Sequence, residues 1–146
     1  MTKLHHQITI NAPLPKVWDV LQNLEEVAYY NKAVRSAKYI SDVKIGEGSA
    51  RQCEMEKGYV KERVTNVREN ESISMELYES DWPLKFMRWT TRVNTVNGST
   101  VMTQTTEYEP GMGIMGKIMN TLVMKKKFNK ILEELLTDLK QYVETK

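Results

Sequence analysis

Asn97-Gly98 lies between two runs of alternating polarity, and no other feature restricts the folding of this chain as tightly. A two-residue type I′ turn holds both central residues at positive φ, which Asn and Gly tolerate best, and its twist matches that of the strands it joins. The turn fixes the pairing. Val96 meets Ser99, so Val93, Thr91, Trp89 and Met87 face Met102, Gln104, Thr106 and Tyr108 on one side. The other side carries Arg88, Arg92, Asn94, Thr103, Glu107 and Glu109. A slip of one residue would turn all of these side chains over, so the clean sorting of polarity supports the register.

Further turn signals at Gly46-Glu47-Gly48, Lys57-Gly58, Asn70-Glu71 and Asp81-Trp82-Pro83 divide the stretch from Ser36 to Glu109 into six strands of a meander. An earlier strand is written in the alternation of Leu4, His6, Ile8 and Ile10. Pro15 then suits the first turn of a helix carrying Val17, Trp18, Leu21 and Leu24, and Glu25 to Asn31 form a second short helix with Tyr29 and Tyr30. From Lys117 to Thr145 the apolar residues Met124, Phe128, Ile131, Leu132, Leu135, Leu139, Tyr142 and Val143 share a stripe of about 120° on a long helix. That stripe needs an apolar partner, and the inner face of the sheet is the surface available. Residues 1–146 thus read as one domain of the α+β class, without linker or repeat.

A formal net charge of +2, from 21 Lys+Arg and 19 Asp+Glu, argues against nucleic acid as a partner. Lys125-Lys126-Lys127 fan out around their helix and read as solvated surface. No apolar run approaches the roughly 20 residues of a membrane span, and the residues after Met1 lack a signal-peptide core, so the expected location is cytoplasmic. The single cysteine forms no internal disulfide, and His5 and His6 point to opposite sides of a strand, so neither a structural metal nor a cofactor is expected.

The inner face holds the chemistry. A tight turn at Lys57-Gly58 pairs Met55 with Val60, Cys53 with Glu62 and Arg51 with Val64, leaving Arg51 and Glu62 as diagonal neighbours. Continuing the parity points Met75, Leu77 and Glu79 inward, with Glu79 opposite Glu62. Two readings stay open for this group. In the first, Arg51 and one glutamate form a structural ion pair, or one glutamate sits in water at a strand end; in the second, the group binds the polar end of an apolar ligand or polarises a carbonyl, and two close carboxylates would raise a pKa and supply a general acid or base. Cys53 reads as a small buried hydrophobe.

Met55, Met75, Met87, Trp89 and Met102 make the remainder of the face apolar, with Phe128, Met115 and Met119 approaching from the helix side. Methionine repacks readily, and nine of them in 146 residues suit a wall that adapts to its contents. Interleaved Thr91, Gln104 and Tyr108 favour a cavity over a dry core. Gly111-Met112-Gly113-Ile114-Met115-Gly116 matches the dinucleotide-binding spacing, but no second parallel strand follows, so the glycines read as a hinge that gates the cavity. Met119 and Val123, off the main stripe, are assigned to the cavity mouth or to a homodimer contact, and the chain is expected to be a monomer or weak homodimer.

This order of elements resembles the helix-grip fold of the START-like superfamily, also called SRPBCC. Its polyketide cyclase/dehydrase-like branch is suggested by Ile10-Asn11-Ala12-Pro13 with Val17-Trp18-Asp19-Val20-Leu21, by Gly48-x-x-Arg51-x-Cys53 with Glu62-Arg63-Val64, and by Met112-Gly113. The resemblance implies a curved seven-stranded antiparallel sheet wrapped around the C-terminal helix, with a cavity between them. It further implies a hydrophobic or aromatic ligand of lipid, sterol or polyketide type. The alternatives are a cofactor-independent cyclase, aromatase or dehydratase using Arg51, Glu62, Glu79 and Tyr108, and an accessory or chaperone-like module acting through its surface.

Overall fold

The computed structural model describes residues 2–111 and 123–146. Strand β1 (Thr2–Ile10) leads into helix α1 (Leu14–Gln22), which Pro13 caps and Pro15 stiffens in its first turn. A single 3-10 turn (Leu24–Glu26) runs into the short helix α2 (Val27–Tyr30). Six strands follow: β2 (Val34–Tyr39), β3 (Ala50–Met55), β4 (Tyr59–Arg68), β5 (Ser72–Ser80), β6 (Leu84–Val96) and β7 (Ser99–Pro110). The final helix is α3 (Lys125–Thr145). The expected start of that helix at Lys117, the glycine hinge, Met115 and Met119 lie outside the described residues.

All seven strands form one antiparallel sheet in the order β1-β7-β6-β5-β4-β3-β2. The β6–β7 hairpin has the expected register from Val96↔Ser99 to Met87↔Tyr108, with Asn97 and Gly98 both at positive φ. Along β7, Thr100, Met102, Gln104, Thr106 and Tyr108 are buried in strict alternation.

The β3–β4 register differs from the expected one by two residues. Cys53 pairs with Val60, and Arg51 stands directly opposite Glu62. The reason is a longer loop, in which the Met55 N–H donates to Gly58 O at 2.9 Å and Lys57-Gly58 are only its second half. A two-residue shift preserves the face, so the inward set survives.

Between β4 and β5 a bulge changes the face. Lys61 pairs with Glu79 while Glu62 pairs with Leu77, so Tyr78 is an extra residue and both Tyr78 and Glu79 turn outward. Glu79 is therefore exposed, with its carboxylate 2.9 Å from Lys61 Nζ and accepting from the Tyr59 hydroxyl at 3.0 Å. The expectation that it faces inward is corrected.

Leu132, Leu136, Leu139 and Val143 bury one face of α3 on the sheet, a gross gain on the order of 6–12 kcal/mol. Leu136 lies outside the anticipated stripe, whereas Ile131 within it stays 47% exposed. The helix is thus rotated, and its Ile131 edge faces an opening instead of the sheet. At the other end, Tyr142 stacks on Tyr29 at 6.2 Å and donates its hydroxyl to Glu26 Oε1 at 2.9 Å, which fastens α2 to α3.

Candidate functional site: a walled cavity with a buried ion pair

A cavity of about 240 Å³ lies between the sheet, α2 and α3. Its floor is formed by inward residues of β3 to β7: Cys53, Met55, Met75, Met87, Trp89 and Met102 are apolar, and Thr91 and Gln104 are polar. Phe128, Ile131, Leu132 and Leu135 cover it from α3, while Val27, Tyr30 and Asn31 close it from the α2 side. Trp82, in the β5–β6 turn, completes the wall beside Ala33 and Val34.

Arg51 and Glu62 are its charged members. Arg51 Nε donates to Glu62 Oε1 at 2.8 Å, and the two side chains keep only 9% and 13% of their exposure. A second guanidinium nitrogen, Nη1, donates to Leu24 O at 3.0 Å, so the arginine also ties down the turn after α1. Burial pulls the guanidinium toward neutrality, but the groups around it, the Glu62 carboxylate first among them, together outweigh this, and Arg51 stays cationic. The pair is neutral as a whole, which lets it sit in an apolar wall.

Two neighbours share this end. The Cys53 thiol lies 3.9 Å from Glu62 Oε1, and burial pushes its pKa up to about 12, so the thiolate a nucleophile needs is absent near neutrality. Burial likewise raises the Tyr30 phenol, with Arg51 pulling the other way.

Apart from Met115 and Met119, which lie outside the described residues, the expected site residues divide in three. Arg51, Cys53, Met55, Glu62, Met75, Met87, Trp89, Thr91, Met102, Gln104 and Phe128 meet around the cavity. Leu77 packs with Val60 and Cys53 in the core next to it. Glu79 and Tyr108 are elsewhere: Tyr108 is fully buried among Leu4, Leu132 and Phe128, stacked on Phe128 at 4.9 Å and hydrogen-bonded to the Thr2 side chain. The strand-level reading placed Tyr108 on the correct face, but Phe128 lies over its ring and separates it from the cavity. Tyr30, Asn31 and Trp82 were missed as wall residues, because the faces that a one-turn helix and a loop present are not encoded in strand parity.

Among the described residues no helix is long and apolar enough to cross a membrane, and no group of three His, Cys, Asp or Glu is placed to hold a metal ion.

Residues 1–144 match the family described as polyketide cyclase / dehydrase and lipid transport. No curated protein matches the sequence. Among solved structures, TTHA0849 from Thermus thermophilus is 20% identical with a TM-score of 0.80, covering 97% of each chain. A START superfamily protein from Mycobacterium smegmatis is 16% identical, also at a TM-score of 0.80, over 98% of this chain and 97% of that one. XoxI from Bacillus cereus is 15% identical at 0.76, over 98% and 96%. Identities this low establish a shared fold. With residues 1–144 matched, the chain belongs to the polyketide cyclase / dehydrase and lipid transport family, and it shares its helix-grip fold with the START superfamily protein from Mycobacterium smegmatis.

Proposed function

We propose that this protein, as a single domain over residues 1–146, binds one small, mainly apolar molecule in the cavity between the sheet and α3. The observation that carries the reading is the Arg51–Glu62 pair, a neutral dipole set into a wall of Met, Trp and Leu side chains. Such a wall gains from burying apolar surface, while the pair offers a donor and an acceptor to one polar group. A cavity of about 240 Å³ exceeds the roughly 150 Å³ that accommodates benzene, which suits a ligand of about two fused or linked rings, or a short alkyl chain. Ligands of lipid, sterol-fragment or polyketide type have this character.

The binding reading is favoured over a cyclase or dehydratase. Acid–base chemistry of the expected kind needs two carboxylates and a phenol converging on one ligand atom. With Glu79 in solvent and Tyr108 behind Phe128, one carboxylate remains at the cavity, already engaged by Arg51. An accessory role through the surface leaves the cavity unexplained.

The test is native mass spectrometry of the purified protein with organic extraction of whatever co-purifies, alongside quenching of Trp89 and Trp82 fluorescence by naphthalene and 2-naphthol. Saturable quenching that weakens in Arg51→Met supports the reading. No bound species and no saturable quenching would overturn it.

A further inference from the structure

The inward row crossing β1, β7 and β6 is polar: His6 pairs with Gln104, and Gln104 with Thr91. Apolar side chains would satisfy the fold here, yet His6 and Gln104 are buried to all but 9% and 8% of their surface. From α3, Asn129 reaches the row with Oδ1 2.7 Å from His6 Nε2, while its Nδ2 donates to Glu133 Oε1 at 3.2 Å. With the amide nitrogen engaged by a carboxylate, the oxygen facing His6 can only accept. A neutral His6 then carries its proton on Nε2 and leaves its Nδ1 as an acceptor.

That Nδ1 and the Oε1 of Gln104 are both buried and have no hydrogen-bond partner among the described residues. Native proteins pair the great majority of such atoms. Here two acceptors on directly paired residues lack a donor, and Gln104 is part of the cavity wall.

We propose that the His6–Gln104–Thr91 row is a second polar seat, which takes a hydroxyl group of the cavity's ligand as hydrogen-bond donor. The inference rests on the binding reading above and adds to it: the ligand is polar at two places, one at Arg51–Glu62 and one here. The seats are well separated. Arg51, Glu62 and Met87 share one inward row and Thr91 another, four residues further along β6, about 13 Å, and two to three strand spacings of about 4.8 Å apply across the sheet. A hydroxyl suits Gln104 in either amide orientation, because it both donates and accepts. The ligand class is thus an elongated, mainly apolar molecule with a hydroxyl, phenolic or alcoholic, at one end and a second polar group toward Arg51–Glu62.

Three probes of one shape test this: biphenyl, 4-methoxybiphenyl and 4-hydroxybiphenyl, titrated into the full chain with 15N-labelled His and Gln side chains. The hydroxyl compound is expected to bind roughly tenfold tighter than the other two. In Gln104→Leu that preference should fall to within about twofold, and in the wild type the His6 Nδ1 or Gln104 amide resonance should shift with 4-hydroxybiphenyl alone. Equal affinity for all three, or a preference unchanged in Gln104→Leu, overturns the second seat and leaves cavity binding intact. Failure of every probe to bind overturns both. Should Gln104→Leu not fold, the wild-type resonances decide: a hydroxyl preference without a shift at either residue refutes the proposal.

Discussion

Replacing Glu62 by Leu leaves the Arg51 guanidinium buried with Leu24 O as its remaining hydrogen-bond partner. Removing one member of a buried pair costs about 3–5 kcal/mol, because the survivor is an uncompensated charge. Both side chains retain a little exposure toward the cavity, 9% and 13%, which places the expected loss near the lower end, about 3 kcal/mol. For 146 residues the unfolding entropy is about 0.3 kcal/mol/K, so the melting temperature should drop by about 10 °C. The double variant Arg51→Met/Glu62→Leu removes both charges and should recover to within about 1–2 kcal/mol of the wild type. Urea unfolding followed by tryptophan fluorescence measures all of these variants, with Arg51→Met completing the double-mutant cycle. A Glu62→Leu loss below about 1 kcal/mol, or a double variant as unstable as the sum of the singles, would refute the claim that the two charges compensate each other.

Other consequences can be checked separately. Tyr108→Phe deletes the hydroxyl that bonds Thr2 and should cost about 1 kcal/mol in urea unfolding while leaving probe affinity unchanged; weakened binding would return Tyr108 to the cavity. Cys53 should resist a thiol-exchange reagent at pH 8 in the folded protein and react only as the chain unfolds; fast labelling of native protein contradicts a thiol with a pKa of about 12. Hydrogen bonding to Arg88 directly opposite holds the Glu107 carboxyl below its usual pKa, so its contribution is present above the unfolded carboxylate value and is lost as pH falls through the lowered one. Glu107→Gln should flatten the acid limb of the stability curve between about pH 5 and 3, and an unaltered limb would deny the pairing. Gly58→Ala should destabilise by about 2 kcal/mol, because Gly58 has φ +86° and an added Cβ would overlap the Asp81 carboxylate; Gly98→Ala, with open space around it, carries the φ cost alone and should lose about 1 kcal/mol.

Local chemistry explains which parts of the architecture could be read in advance. A turn of two residues determines its register, so the Asn97-Gly98 hairpin came out residue for residue. Lys57-Gly58 carries the same kind of signal but closes a four-residue loop, and the pairing moves by two. The bulge at Tyr78 has no marker in its residues, since Tyr78 and Glu79 would sit equally well in a regular strand, and strand parity alone therefore puts Glu79 on the wrong face. His6 and Gln104 are 98 residues apart and meet only because β1 joins the free edge of β7. No turn links those strands, so their register is decided by the whole sheet. The cavity walls from the sheet were therefore foreseeable, whereas those from α2, the Trp82 turn and the rotated edge of α3 depended on tertiary packing.

Tyr78 lines no part of the cavity; its ring lies outside the sheet with the Arg63 guanidinium over it. Yet the bulge it forms decides the electrostatic sum of the interior. Were Tyr78 taken into the ladder opposite Lys61, Glu79 would fall opposite Val60 on the inward face, and the cavity would hold two carboxylates against one guanidinium. The neutrality of the chamber is thus encoded by the pairing of strands as much as by the identity of side chains. Within this fold, a bulge gained or lost in one strand is a route by which a chain can acquire an anionic or a neutral interior without exchanging a single amino acid at the positions that already line it.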